Sequence, residues 1–294
     1  MEPIAIETKD GFRLAANRFA PPAAVKAVIV LPTAMGVKQD FYFPFAQFLA
    51  QQGFAVLTFD YRGSGASVPK RFRRSLRGFK ADLYDWAGDY NAAVHFARNW
   101  QRDVPLLVIG HSLGGQLPGL LPDNHLIDGI VTVAAGSGYW RDNVPELRRI
   151  VWLIWYFVAP LSTRLFGYFP GKKMKIVGDL PKGVIFQWMQ WCKSPHYVVD
   201  GKGRPIREGY EKLRVPLLCM SFTDDEMMSR RSIDSLHDFY RNASVERRYI
   251  KPDQVQARRI GHFGFFRPEF RTTLWEDALG WLEQRAQPNR EECC

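Results

Sequence analysis

A chain of 294 residues with 46 % hydrophobic, 14 % aromatic and 24 % charged side chains has apolar material for a sizeable core, which excludes disorder as its main state. Its 40 Lys and Arg against 30 Asp and Glu leave a formal charge of +10. No apolar run reaches the roughly 18 to 20 residues of a membrane-spanning helix; the longest, Ile150 to Leu161, is broken by Pro160.

The opening MEPIAIETKDGFRL has neither the basic start nor the apolar stretch of a signal peptide, so secretion is not expected. Alternation at Ile4, Ile6 and Thr8, and again at Phe12, Leu14 and Ala16 around Asp10-Gly11, predicts an antiparallel hairpin. The unbroken apolar run Ala27 to Leu31 reads as a strand buried on both faces, as in parallel sheets. A helical pattern from about Phe41 to Gln52, stopped by Gly53, leads into a strand over Ala55 to Phe59. Then follow a helix over Ala81 to Asn99, a strand over Leu106 to Ile109, a helix over Leu113 to Leu121 and a strand over Ile130 to Ala134. The rhythm resumes with a strand over Leu217 to Ser221, a helix over Arg230 to Tyr240, a strand over Glu246 to Ile250 and a closing helix over Thr272 to Arg285. Such alternation predicts an α/β fold, a mostly parallel eight-stranded sheet flanked by helices on both faces.

Residues 137–214 interrupt the pattern. They are rich in aromatics, including Trp152, Trp155, Trp188 and Trp191, and are punctuated by Pro and Gly. A stretch too long for a loop carries structure of its own. We therefore expect an aromatic-rich helical cap over 137–214, inserted into a core of 1–136 and 215–286, with 287–294 as a disordered tail.

Of the four cysteines, Cys293 and Cys294 are adjacent in the polar tail, and Cys192 and Cys219 lie in apolar surroundings. No spacing suggests disulfides or a zinc site, which fits a reducing cytoplasm. Basic residues crowd 70–80 and recur at Arg247, Arg248, Lys251, Arg258 and Arg259. Such clusters attract nucleic acid or an anionic membrane surface, or are simply solvated; without a nucleic-acid fold signature, no nucleic acid is expected as a partner.

The strand Leu106 to Ile109 runs into Gly110-His111-Ser112-Leu113-Gly114-Gly115, where a helical pattern begins. Gly-x-Ser-x-Gly alone is weak evidence; its place between a strand and a helix strengthens it. A nucleophile on so tight a turn needs small neighbours, and the helix start aims the Leu113 amide at developing negative charge.

With this motif in this setting, the sequence resembles the α/β-hydrolase superfamily over nearly its whole length. The resemblance implies an order of Ser, then Asp or Glu, then His. Val215 to Ser221 followed by Phe222-Thr223-Asp224-Asp225-Glu226-Met227 is similar to the family's acid-bearing strand. Asp225 fits the pattern of acid, any residue, apolar residue better than Asp224, which suits a turn or helix cap. Gly261-His262-Phe263-Gly264 before the closing helix resembles the family's histidine loop. The resemblance also implies a second oxyanion amide in Leu31-Pro32-Thr33-Ala34-Met35-Gly36-Val37, at Met35 with Ala34 as runner-up; Thr33-Ala34 stands where many members have His-Gly. Asp60-Tyr61-Arg62-Gly63-Ser64-Gly65 resembles a structural loop of the family, and His111 has a packing or hydrogen-bonding role. A narrower resemblance, at the elbow, the acid loop and the histidine loop, is to a poorly characterised group of predicted bacterial serine hydrolases.

The expected chemistry is that of a serine hydrolase of carboxylic esters, esterase or lipase-like. Ser112 is the nucleophile, His262 the base, Asp225 its orienting acid, and the Met35 and Leu113 amides the oxyanion hole. No cofactor or metal is required. Trp152, Trp155, Trp188 and Trp191 would line a pocket for an apolar acyl substrate, or pack into a small core of their own. Thioesterase, amidase or acyltransferase activity through the same three residues, and a non-catalytic hydrolase-like binding module, are the alternatives.

Overall fold

A computed structural model describes residues 1–287. The tail expectation falls almost wholly on 288–294, outside the described residues. The hairpin forms as its alternation predicts: β1 (Glu2–Glu7) and β2 (Arg13–Phe19) pair antiparallel with Ile6 opposite Leu14. Gly11, at φ +78°, closes the turn.

The rest of the sheet is β3 (Ala27–Leu31), β4 (Phe54–Phe59), β5 (Leu106–His111), β6 (Gly129–Val133), β7 (Pro216–Phe222) and β8 (Ser244–Ile250). The eight strands lie in the order β1-β2-β4-β3-β5-β6-β7-β8. β2 meets β4 antiparallel, and every later pairing is parallel. Strands β3 to β6 are buried throughout, because side chains leave a strand alternately to both faces and both faces are covered. In β3, Val28 and Val30 join one core layer, while Ala27, Ile29 and Leu31 join the other. Each such Val, Ile or Leu contributes roughly 1.5 to 3 kcal/mol relative to exposure.

Helices α1 (Phe43–Gln51) and α2 (Leu83–Trp100) cover opposite faces. The Asp82 side chain accepts from the Tyr84 and Asp85 amides, while Asp85 accepts from the Asp82 amide, so α2 starts on a reciprocal cap. The helix expected over Leu113 to Leu121 is shorter. α3 (Leu113–Gln116) gives way to a tight turn over Pro118–Leu120, since Pro118 has no N–H to continue the ladder. The carbonyls left at its end are met by tyrosine hydroxyls, Tyr240 on Gly115 and Tyr210 on Gln116.

The 137–214 segment is helical: α4 (Pro145–Leu153), α5 (Ala159–Phe166), α6 (Gly171–Met174), α7 (Lys182–Lys193) and α8 (Glu208–Lys212). A wider π turn over Ile154–Val158 joins α4 to α5 without a break. The segment touches the core beside several strand ends. The Ser137 amide donates to Ser232 at 2.7 Å, the Leu83 amide to Gln187 at 2.6 Å, and Gly178 lies against Gly36. Helices α9 (Arg230–His237) and α10 (Leu274–Ala286) complete the chain.

Candidate active site

Ser112 sits between β5 and α3 with φ 49° and ψ −111°, a backbone state a serine adopts only when its surroundings impose it. Its amide is fixed by the Val133 carbonyl of β6 at 2.9 Å. The flanking glycines make the turn possible. A Cβ at Gly110 would stand 2.4 Å from the Gly114 carbonyl oxygen, and one at Gly114 would stand 2.7 Å from that of Pro32.

Beyond β7, three consecutive carboxylates act on one loop. Asp224 accepts from the Ile260 and Gly261 amides at 2.8 and 3.2 Å. Asp225 Oδ2 lies 2.9 Å from His262 Nδ1, and its Oδ1 accepts from the Met227 and Met228 amides. Glu226 accepts from the His262 amide at 3.1 Å. The structure thus gives the imidazole to Asp225 and the loop backbone to its two neighbours. Of these, Glu226 was not singled out in the sequence, where it reads as the spacer of a pattern.

A second buried chain of hydrogen bonds links the three loops. The Ala34 amide donates to the Tyr42 hydroxyl at 2.9 Å. That hydroxyl lies 2.8 Å from His111 Nδ1, and His111 Nε2 lies 3.0 Å from the His262 carbonyl oxygen. A carbonyl only accepts, so Nε2 carries the proton, Nδ1 is bare, and Tyr42 donates to it. Burial, with the nearby His262 adding to it, pushes the His111 pKa well below its ordinary value, which keeps this neutral tautomer. Burial also raises the Tyr42 hydroxyl far above the usual phenol value, so it stays protonated.

This chain separates the two oxyanion candidates. The Ala34 amide is already engaged, whereas among the described residues the Met35 and Leu113 amides donate to no other group. Tyr42 is the residue that sequence reasoning missed: it lies in an aromatic run that reads as the start of α1, and nothing in that run marks its hydroxyl.

Ser112 is 8 % exposed and His262 2 %. Their side chains are not hydrogen-bonded to each other; the elbow and the histidine loop are tied through His111. The four tryptophans separate. Trp155 and Trp188 meet edge to face at 4.9 Å, and Trp188 reaches α3 through the Tyr197 hydroxyl, which donates to Gln116 at 2.7 Å. Trp191 is buried and donates to the Val199 carbonyl. Trp152, 43 % exposed, lies outside with Tyr156 and Phe157. As expected, Asp60 and Arg62 are structural: Asp60 accepts from the Gln39 and Ala66 amides, and Arg62 pairs with Asp10 and Asp89.

Residues 23–170 match the hydrolase family described as serine aminopeptidase, S33. A monoacylglycerol lipase of Mycolicibacterium smegmatis is 31 % identical over 105 residues, 36 % of this chain, and the match spans only 35 % of that relative's length. A soluble variant of monoglyceride lipase from Saccharomyces cerevisiae, solved with a substrate analogue, superposes with a TM-score of 0.69 at 16 % identity, over 98 % of this chain and 97 % of that one. A carboxyl esterase from Bacillus coagulans superposes with a TM-score of 0.64 at 12 % identity, over 97 % and 99 %. At these identities the two structures establish a shared fold. The family match spans half the chain, the sheet order and the strained Ser112 between β5 and α3 agree with it, and the chain belongs to the serine aminopeptidase S33 family of α/β hydrolases.

Proposed function

We propose that the chain is a serine hydrolase of carboxylic esters with an apolar acyl part, working through an acyl-enzyme on Ser112. The observation that carries this is the buried His262–Asp225 pair at 2.9 Å, held by loops on either side and tied to the Ser112 elbow. Asp225 holds the proton on Nδ1, leaving Nε2 to take the Ser112 proton as its oxygen attacks the acyl carbon. The Met35 and Leu113 amides receive the negative charge that forms on the carbonyl oxygen. The alcohol leaves with the proton from His262, and water activated by the same imidazole releases the acid.

Residues 137–214 act as a cap over this site, with Trp155 and Trp188 on the acyl side. Support comes from their contacts with the Gly36 loop, α3 and α9, and from the near-complete burial of Ser112. The monoacylglycerol lipase match adds support for a lipid-like ester. The buried free thiols Cys192 and Cys219 suit a reducing compartment such as the cytoplasm.

A fluorophosphonate probe should label the wild type and leave Ser112→Ala unlabelled. Turnover should fall to the residual rate that oxyanion donors alone provide. With acetyl and octanoyl esters, Trp188→Ala should lower the octanoyl-to-acetyl ratio of kcat/KM by about tenfold, the loss of one apolar contact region. Labelling that survives Ser112→Ala would overturn the nucleophile, and an unchanged ratio would overturn the acyl pocket.

A further inference from the structure

Eight of the ten exposed large hydrophobic side chains among the described residues lie between 150 and 176. Seven of them, Ile150, Trp152, Leu153, Tyr156, Phe157, Leu161 and Leu165, belong to the continuous helical run from α4 through the π turn to α5. Spacing of three or four residues along Ile150, Leu153, Phe157, Leu161 and Leu165 puts those five on one stripe of the helix. The inner side of the same run is buried at Val151, Trp155, Ala159 and Thr163. The outer stripe has no such cover.

The charge around it is predominantly positive. From 145 to 176 the only acid is Glu146, against Arg148, Arg149, Arg164, Lys172, Lys173 and Lys175. None of these six cations forms an ion pair among the described residues. In β8, by contrast, Arg247 and Arg248 are matched by Asp238 and Asp277. Arg77 donates to the Leu165 and Phe166 carbonyls, which brings the basic segment 70–80 alongside the end of the same stripe.

We propose that this face is a docking surface for an anionic lipid bilayer, with the stripe entering the acyl boundary and the cations meeting the headgroups. A helix lying in the interface needs such a stripe flanked by Lys and Arg. No helix among the described residues is long and apolar enough to cross a membrane, so the run lies on the bilayer and does not span it. A second copy of the chain is a poor occupant, because it would bring the same excess of positive charge against this one. The proposal does not depend on the acyl-enzyme reading.

The test is flotation of the full chain with vesicles of phosphatidylcholine and with vesicles of mixed phosphatidylcholine and phosphatidylglycerol, at low and high salt. The wild type should float with the anionic vesicles alone and be released by salt. The double variant Phe157→Ser, Leu161→Ser should lower partition by at least about tenfold. The triple variant Lys172→Ala, Lys173→Ala, Lys175→Ala should lower it by about fivefold per charge removed. Near-ultraviolet circular dichroism checks that both remain folded, as all five side chains are exposed. Absence of flotation, equal flotation on neutral vesicles, or binding unmoved by both variants would overturn the proposal. So would light scattering that finds a wild-type dimer dissociated by Phe157→Ser, Leu161→Ser, which would assign the face to a second copy.

Discussion

Replacing Tyr42 by Phe removes a single oxygen and should disturb both stability and turnover. The hydroxyl accepts from the Ala34 amide and donates to His111 Nδ1, and no solvent reaches the Tyr42 side chain. Its loss leaves a buried donor and a buried acceptor without partners, at about 1 to 3 kcal/mol each. His111 has no escape by changing tautomer, since moving its proton to Nδ1 would abandon the His262 carbonyl. We therefore expect a loss of at least about 2 kcal/mol in guanidinium unfolding, or about 5 °C or more in Tm. Ala34 precedes the Met35 amide, and complete loss of one oxyanion donor lowers kcat by about 100-fold to 1,000-fold. A displaced donor should cost at least about tenfold in kcat with KM little changed. Tyr61→Phe is the matched control, because the Tyr61 hydroxyl is buried without any partner among the described residues, so deleting it should be neutral or stabilising. The reasoning fails if Tyr42→Phe lies within about 0.5 kcal/mol of wild type with unchanged kcat, or if Tyr61→Phe is the more damaging of the two.

Asp225→Asn should lower kcat by up to about 10,000-fold by presenting the wrong tautomer of His262. Asp224→Asn keeps an oxygen for the Ile260 and Gly261 amides and should cost far less; steady-state kinetics showing the reverse order would move the acid to Asp224. Gly110→Ala forces a Cβ to within 2.4 Å of the backbone at Gly114 and should destabilise the fold by about 3 kcal/mol or more, so a native-like melt would show the elbow to be looser than described. Burial holds His237 down to about 4 against an ordinary 6.5, with Nδ1 donating to the Ile233 carbonyl and Nε2 accepting from Thr132. Between those two pH values the unfolded chain binds a proton there that the folded chain does not, so stability falls as pH is lowered through the window, by up to about 1.4 kcal/mol per pH unit. His237→Gln should remove that share of the slope in urea melts run from pH 7 to pH 4, and an identical slope in both proteins would place the acid sensitivity elsewhere.

Strands β3 to β6 could be read from sequence because burial on both faces leaves continuous apolar runs such as Ala27 to Leu31, bounded by Gly and Pro. The apolar period alone predicts a helix over the whole of Leu113 to Leu121, and Pro118 inside it is what shortens α3. The adjacent acids show the limit in the site. Asp224, Asp225 and Glu226 look alike as residues and differ only in which atom of the 260–262 loop each one meets, which is tertiary information. The Tyr42–His111 chain joins groups 69 positions apart, and the His111–His262 contact joins groups 151 apart. No local pattern records such distances. Trp152 and Trp155 are the same residue type in the same helical run, yet Trp152 is exposed and Trp155 buried, a difference that residue type does not record.

The position of the 137–214 segment also bears on how the chain is made. β6 ends at Val133, and the strand that pairs with its free edge, β7, begins roughly 80 residues later. At the usual pace of synthesis the ribosome needs roughly 4 to 16 seconds to make that stretch. Once it has left the ribosome, and until β7 follows, β6, buried along its length in the finished fold, presents an unpaired edge to the cell. Faster translation of 137–214 or chaperone cover at that stage should therefore raise the yield of native protein, and pausing codons placed late in that segment should send more of it into inclusion bodies.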